Sequence, residues 1–163
     1  MNKLLDELRD LDVRHVVISG GNPLMEIDRL FTLVGGLRQA KPGIGIMVAC
    51  NGGGLNRKIG EVIKTLGIDM SFSVFGTTSD EYGVVTGNPD LYSQLHNALA
   101  VCRELDIKYS ITVVVAPITK ETPERLYKFG LSLGGNEELS FTELLPRQDN
   151  RVKPKFRGGS PFR

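Results

Sequence analysis

Apolar residues along this chain follow two alternating spacings. Compact runs rich in β-branched residues predict five strands, at 15–19, 44–50, 70–75, 109–115 and 139–145. Between these runs, apolar residues recur every three or four positions, which is the spacing of a helix with one buried face. Strands separated by helices imply right-handed crossovers, so the pattern predicts the α/β class, with a parallel sheet and helices covering it.

The predicted helices begin at residues that suit a helix start. Asn22 can cap a helix in which Pro23 takes the first position, and Asn56 can cap the next one. Two later helices open at Asn88-Pro89 and at Thr122-Pro123. Each start follows a predicted strand, which supports the alternation of strands and helices.

Small and turn-forming residues follow each predicted strand, where parallel α/β folds place their binding sites. These carboxyl-end segments are 19–22, 50–54, 75–78, 116–119 and 145–147. The first, Ser19-Gly20-Gly21-Asn22, is the most informative, because two glycines let a ligand approach the backbone closely. The connection from about Gly76 to Gly87 is predicted as a long loop, with the acidic pair Asp80-Glu81 in solvent or at a helix start.

Composition narrows the class of protein without naming a function. The chain has 163 residues, of which 40% are hydrophobic and 24% are charged, as expected for one ordinary globular domain. No apolar run is long enough to span a membrane and the start is too acidic for a signal peptide, so a cytoplasmic protein is expected. Only two cysteines are present, Cys50 and Cys102, which excludes a disulfide scaffold and a self-contained zinc or iron-sulfur site.

Positive charge is concentrated at the end of the sequence. Six basic residues and one acidic residue at 147–163 give +5, so the preceding residues sum to −4 of the total charge of +1. Because this stretch also contains proline and glycine, we expect a flexible basic tail at 147–163 beside a folded domain at 1–146. A solvated terminus is favoured over an arm that binds nucleic acid.

Taken in order, the carboxyl-end segments resemble those of the radical S-adenosylmethionine (radical SAM) superfamily, closest to the branch that matures peptides and sulfatases. Ser19-Gly20-Gly21-Asn22-Pro23-Leu24 resembles its Gly-Gly-Glu-Pro element, and Ala49-Cys50-Asn51-Gly52 resembles its Thr-Asn-Gly turn. The stretch 71–82 is similar to the family's fourth-strand region. The resemblance covers about residues 4–146 and implies a partial (β/α) barrel of about five parallel strands with flanking helices, an incomplete TIM-like barrel.

The resemblance also implies where S-adenosylmethionine would bind. Gly20, Gly21 and Asn22 would face its methionine amino group, with Asn22 in place of the usual carboxylate. An amide accepts a hydrogen bond from an ammonium group but supplies no charge to pair with it. Ser73 would approach the ribose, and Thr112 is a second candidate for the same contact. The alternative for both is that they only tolerate the barrel interior or face a helix.

The adenine would lie against Leu145, on the last predicted strand, through backbone and apolar contacts. Members of the superfamily also carry Cys-x3-Cys-x2-Cys, whose three thiolates hold a 4Fe-4S cluster that cleaves S-adenosylmethionine to a radical. This chain begins at what would be the helix after that loop, and Cys50 and Cys102 cannot replace three clustered thiolates. We therefore expect a radical SAM-like protein or fragment that holds no metal and is inactive by itself, with cluster ligands supplied from outside the chain.

The absent loop implies a partner for the first strand. The run 15–19 would be an uncovered parallel edge, which another chain can extend. We expect a missing N-terminal segment, a partner polypeptide or self-association through this edge. A peptide or a small molecule is expected as the substrate, and neither a membrane nor a nucleic acid is expected as a partner.

Two other functions are consistent with the sequence. The chain can be an inactive homologue that serves as a binding or scaffold subunit. It can also be an unrelated α/β protein that binds phosphate through the free amides of residues 51–56, although this segment lacks the Lys-Ser/Thr of a P-loop. Cys50 has no sequence-near base that would make it a nucleophile, so a small buried hydrophobe is favoured at that position.

Overall fold

The computed structural model describes residues 5–8, 11–115, 122–134 and 139–143, the last of these as backbone. Residues 5–8 are helical. The elements that follow are β1 (His15–Ile18), a 3-10 helix (Pro23–Glu26), α1 (Ile27–Ala40), β2 (Gly45–Cys50), α2 (Arg57–Thr65), β3 (Ile68–Val74), α3 (Ser79–Thr86), α4 (Leu91–Glu104), β4 (Tyr109–Val115), α5 (Pro123–Ser132) and β5 (Leu139–Glu143). All five predicted strands are therefore present.

The strands form one sheet in chain order, β1-β2-β3-β4-β5, and each adjacent pair is parallel. Within the described residues the sheet is open, because β1 pairs only with β2 and β5 pairs only with β4. Parallel neighbours joined through helices confirm the predicted α/β class and the expected incomplete barrel. No helix in the described part of the chain is long and apolar enough to cross a membrane.

One face of the sheet is packed against helices. On β2, Ile46, Val48 and Cys50 are buried, whereas the residues between them are only partly buried. They belong to one apolar core with Phe72 of β3, Val34 of α1 and Leu99 of α4. Side chains alternate between the faces of a strand, so this face collects the β-branched and aromatic residues that the helices cover.

The opposite face carries smaller and more polar side chains. Met47 of β2, Ser73 of β3 and Thr112 of β4 are each only partly buried there. Ser71 is the exception, at 8% exposed, and its Oγ lies 3.2 Å from Thr112 Oγ1, a hydrogen-bond distance. In a partial barrel this is the face that turns towards the interior.

The helix starts agree with the predictions at Asn22, at Asn56 and at Thr122, which caps α5 with Pro123 in its first turn, whereas α4 begins at Leu91, after the predicted start at Asn88-Pro89. Asn22 Oδ1 accepts a hydrogen bond from the Leu24 amide at 3.3 Å, although the first turn is a 3-10 helix before α1 begins. Asn56 Oδ1 accepts from the Ile59 amide at 3.1 Å and caps α2. The predicted loop between about Gly76 and Gly87 instead contains α3, which Thr78 caps and which ends at the left-handed Gly87.

Several predictions fall outside the described residues. These are the basic tail at 147–163, the carboxyl-end segments 116–119 and 145–147, and Leu145, the residue expected beside adenine. The boundary predicted between a domain at 1–146 and the tail also lies there and stays a prediction.

Candidate functional site

Two glycines leave the backbone bare at the carboxyl end of β1. Gly20 has φ +112° and Gly21 has φ +54°, a region that disfavours residues with a side chain. No atom lies within 4 Å of where a Cβ would stand at either residue. The turn is thus held in a glycine conformation and lies open, which is what the backbone of a ligand-binding turn requires.

A second glycine turn follows β2 and is joined to the first. Asn22 Nδ2 donates a hydrogen bond of 2.7 Å to the Gly53 carbonyl, and the Gly53 amide donates one of 2.9 Å to Asn51 Oδ1. A Cβ at Gly53 would stand 2.8 Å from Gln94 Oε1, so a side chain there would require the end of Gln94 to move. Sequence reasoning did not identify Gln94, because nothing in its surroundings distinguishes it from a surface residue of α4.

Gly52 has a packing role that is independent of the predicted phosphate contact, which stays a prediction. Its φ is +87°, and a Cβ there would stand 2.9 Å from the Cα of Leu95, on the backbone of α4. The glycine lets the turn pass close to the helix, so its identity is explained by packing alone.

The structure brings Ser73 and Thr112 together on neighbouring strands. They are register partners of β3 and β4, and both are partly buried on the face opposite the helices. Ile18 is the register partner of Val48, and Val48 is the register partner of Met70. The turn at Gly20 and Gly21, two and three residues after Ile18, is therefore level with Ser73, three residues after Met70. Strands lie about 4.8 Å apart, which sets β1 and β3 about 10 Å from each other across the sheet.

A third group of polar side chains at this end of the sheet was not predicted. Glu81 Oε2 accepts hydrogen bonds from the Thr77 amide at 2.6 Å and from Thr77 Oγ1 at 3.2 Å. Arg125 Nη2, from the start of α5, donates to Thr77 Oγ1 at 3.0 Å. The signal was present in the spacing of Thr78 and Glu81, which matches a capping box and predicts a helix start. These contacts hold the turn after β3 against two helices.

The cysteines lie in the core rather than at the turns. Cys50 is 3% exposed and Cys102 is fully buried. Burial raises the pKa of each thiol to about 12, which disfavours the thiolate that binds metal or attacks a substrate. Among the described residues no group of three or more His, Cys, Asp or Glu side chains is arranged to hold a metal ion. The residues present therefore do not fit a 4Fe-4S cluster.

A cleft lies beside the open edge strand. It has a volume of about 280 Å³ and joins the end of β1 to the start of α1. Apolar Ile18, Leu30 and Leu33 line it together with the charged Glu26 and Arg29. The cleft is continuous with the turn that contains Gly20 and Asn22.

Comparison with known families gives one match over most of the chain. The sequence model of the Radical SAM superfamily matches residues 1–130. No curated protein sequence matches this chain.

Solved structures share the fold at low sequence identity. Native anSMEcpe, an anaerobic sulfatase-maturating enzyme with bound S-adenosylmethionine and the peptide Kp18Cys, gives a TM-score of 0.74 at 15% identity, covering 94% of this chain and 44% of its own. The radical S-adenosylmethionine methyltransferase TsrM from Kitasatospora setae, with cobalamin and a 4Fe-4S cluster bound, gives 0.61 at 11% identity, covering 87% and 30%. This chain thus spans less than half the length of either structure.

The role of Gly52 can be tested against Gly43, which has nearly the same backbone conformation. Their φ values are +87° and +85°, but a Cβ at Gly43 would meet no atom within 4 Å. We expect Gly43→Ala to lower the free energy of unfolding by about 1 kcal/mol through strain alone. Gly52→Ala adds a collision with the backbone of α4, so we expect a loss of about 2–4 kcal/mol in urea unfolding without any ligand. Equal losses would contradict the packing role of Gly52.

Proposed function

Because the chain belongs to the radical SAM superfamily, we propose that its sheet forms the S-adenosylmethionine-binding part of a radical SAM domain and that the cluster ligands come from outside these residues. The observation that carries the proposal is the open glycine turn after β1, joined to a second glycine turn after β2, at the carboxyl end of a parallel sheet. Parallel α/β folds bind their ligands at this end. The bound cofactor would supply the sulfonium group from which the superfamily generates its radical.

The methionine end of the cofactor is proposed to meet the turn after β1. The open backbone of Gly20 and Gly21 supports this, because a ligand can approach its carbonyl and amide groups without meeting a side chain. Asn22 lies in the same turn, with its side chain held by the Leu24 amide and the Gly53 carbonyl.

The ribose is proposed to lie over the open face of the sheet, near Ser73 and Thr112. The two residues are register partners, and their side chains can offer hydroxyl groups to a sugar from adjacent strands. We also propose that Leu145 lines the adenine, as the resemblance implies.

The substrate is proposed to be a peptide or a small molecule that enters over the same face. The anSMEcpe structure, which shares the fold, holds a peptide together with S-adenosylmethionine. Small and polar residues on this face leave space for a ligand, unlike the helix-covered face.

Equilibrium dialysis with S-adenosylmethionine tests the cofactor site. We expect the 163-residue chain to bind in the micromolar range, and Thr112→Val or Ser73→Ala to weaken binding about fivefold each, the effect of one lost hydrogen bond. Thr65→Val is the matched control, because the Thr65 hydroxyl donates to Glu61 on the outer helix α2. No binding by the parent chain would contradict the proposal and favour the scaffold subunit.

Anaerobic reconstitution with ferrous iron and sulfide tests the cluster. We expect the chain alone to give no stoichiometric iron-sulfur absorbance, because its two thiols are buried with raised pKa values. The double variant Cys50→Ala, Cys102→Ala serves as the background and should retain the same trace of iron. One cluster per chain in the parent would refute the assignment of both cysteines to the core.

Mutation of the open edge strand β1 tests whether this edge binds a partner. We propose that β1 takes up a further strand, and that without its partner the chain self-associates through this edge. Val17 on β1 is 59% exposed, so Val17→Lys should reduce the association seen in light scattering at high concentration. Val84→Lys is the control, because Val84 is 55% exposed but lies on α3. A parent chain that stays monomeric would contradict this proposal.

A further inference from the structure

The side chain of Asn22 makes two hydrogen bonds, one as an acceptor and one as a donor. Its Oδ1 accepts from the Leu24 amide at 3.3 Å, and its Nδ2 donates to the Gly53 carbonyl at 2.7 Å. The first bond is local, whereas the second spans 31 positions and joins the turn after β1 to the turn after β2. The shorter bond is therefore the one that connects two strands.

The residue whose carbonyl receives this bond is closely surrounded. A Cβ at Gly53 would stand 3.3 Å from Asn22 Nδ2, 3.1 Å from Asn51 Oδ1 and 2.8 Å from Gln94 Oε1. Three side-chain amides thus surround Gly53, and its own amide is bonded to Asn51. A group that replaced the Asn22 donor would face the carbonyl of a residue that its neighbours already position.

An aspartate at this position would keep one bond and lose the other. Its carboxylate can still accept from the Leu24 amide, but an ionised carboxylate has no proton to offer the Gly53 carbonyl. Two oxygens with negative partial charge would then stand at hydrogen-bond distance. Position 22 needs a donor, and the carboxylate that the family resemblance leads one to expect there does not supply it.

We propose that Asn22 is a positioning residue whose side-chain amide locks the two glycine turns together, and that a carboxylate at this position would open the lock. The proposal rests on the proposed function in one respect, that the locked turns receive the methionine end of S-adenosylmethionine. The lock itself can be measured without any ligand. Asn22 therefore acts through the turns instead of pairing with the ammonium group.

The test compares Asn22→Asp with Asn56→Asp. Asn56 uses only its Oδ1 as an acceptor at the start of α2, so aspartate keeps that bond and adds a charge that a helix start favours. At pH about 7 we expect amide exchange in the turn after β2 to be about tenfold faster in Asn22→Asp, the combined effect of one lost hydrogen bond and the repulsion between the two oxygens, and unchanged there in Asn56→Asp.

The pH dependence of stability separates loss of the donor from a general disturbance. At position 22 the Leu24 amide, at 3.3 Å, favours an ionised Asp, whereas the Gly53 carbonyl, at 2.7 Å, favours a protonated one that can donate to it. The closer contact is the stronger, so the pKa of this Asp in the folded state is expected above the unfolded value of about 3.9. The stability it contributes is present below the unfolded pKa and is lost as the pH rises through the folded pKa. We expect the deficit of Asn22→Asp against the parent to be small near pH of about 4 and complete near about 7.

Other charged and polar groups lie near position 22. The charged side chains that line the cleft with Asn22 are Glu26 and Arg29. From the turn after β2 and from α4, the neutral amides of Asn51 and Gln94 face Gly53. Glu26 and Arg29 act on a carboxylate at position 22 only in the variant, so Asn22→Ala, which removes the donor without adding a charge, is the second comparison. It should show the faster exchange and a deficit in stability that is the same near pH of about 4 and about 7.

Binding of S-adenosylmethionine supplies the last measurement. We expect Asn22→Asp to weaken it about tenfold at pH about 7, in step with the faster exchange. Tighter binding by Asn22→Asp would overturn the proposal, since it is the result expected of a carboxylate that pairs directly with the ammonium group. Exchange and stability equal to the parent at this pH would overturn it as well. If the parent binds no S-adenosylmethionine, the proposed function fails, but amide exchange and stability still test whether Asn22 joins the two glycine turns.

Discussion

The register between parallel strands is the constraint on which the rest of this structure depends. On β2 and β3, the large apolar side chains stand at alternate positions, such as Val48 and Phe72, and only one face of the sheet is covered by helices. A slip of one residue would move these side chains to the open face and bring Met47 and Ser73 under the helices. Burial therefore fixes the register, and the register fixes the height at which each strand ends. The glycine turns and the hydroxyl-bearing face come together as a consequence of core packing.

The repeating part of the fold could be predicted from the sequence because it depends on local spacing. β-Branched runs, apolar stripes and the cap at Asn56 act within a few residues of one another, and all five strands are present as expected. The extent of the short helix α3 was not predicted, although a helix start at Asp80-Glu81 was one alternative, because α3 has no apolar stripe and Tyr82 is its only buried residue. The resemblance located the turn at Gly20 and Gly21, but sequence could not reveal that Asn22 bonds to Gly53, since that contact exists only once β1 and β2 are paired. Likewise, the bond between Thr77 and Arg125 requires the folded sheet.

This chain belongs to the superfamily by its sequence and fold, but its two cysteines are buried in the core and do not act as metal ligands there. Cys50 ends β2 within a segment that resembles a family turn, yet its side chain points into the core and its thiol is kept neutral by burial. Cys102 lies in the same core on α4. Both residues are explained by packing, as small apolar groups between sheet and helices. Within the described residues, the fold that carries the glycine turns is thus assembled without any contribution from metal-binding thiols.

Glycine turns let a ligand approach the backbone closely, but glycine also makes the backbone more flexible. In this chain, contacts from neighbouring elements restrain the two turns. The turn after β2 is held by Asn51, by the packing of Gly52 on Leu95 and by Asn22. At the turn after β1, Gly20 and Gly21 meet no neighbour at the Cβ position, so Asn22 is the contact that transfers the order of the second turn to the first. An amide at this position gives up the charge of a carboxylate and gains a donor. That donor joins the two turns at 2.7 Å, a contact that a carboxylate could not make in its ionised form.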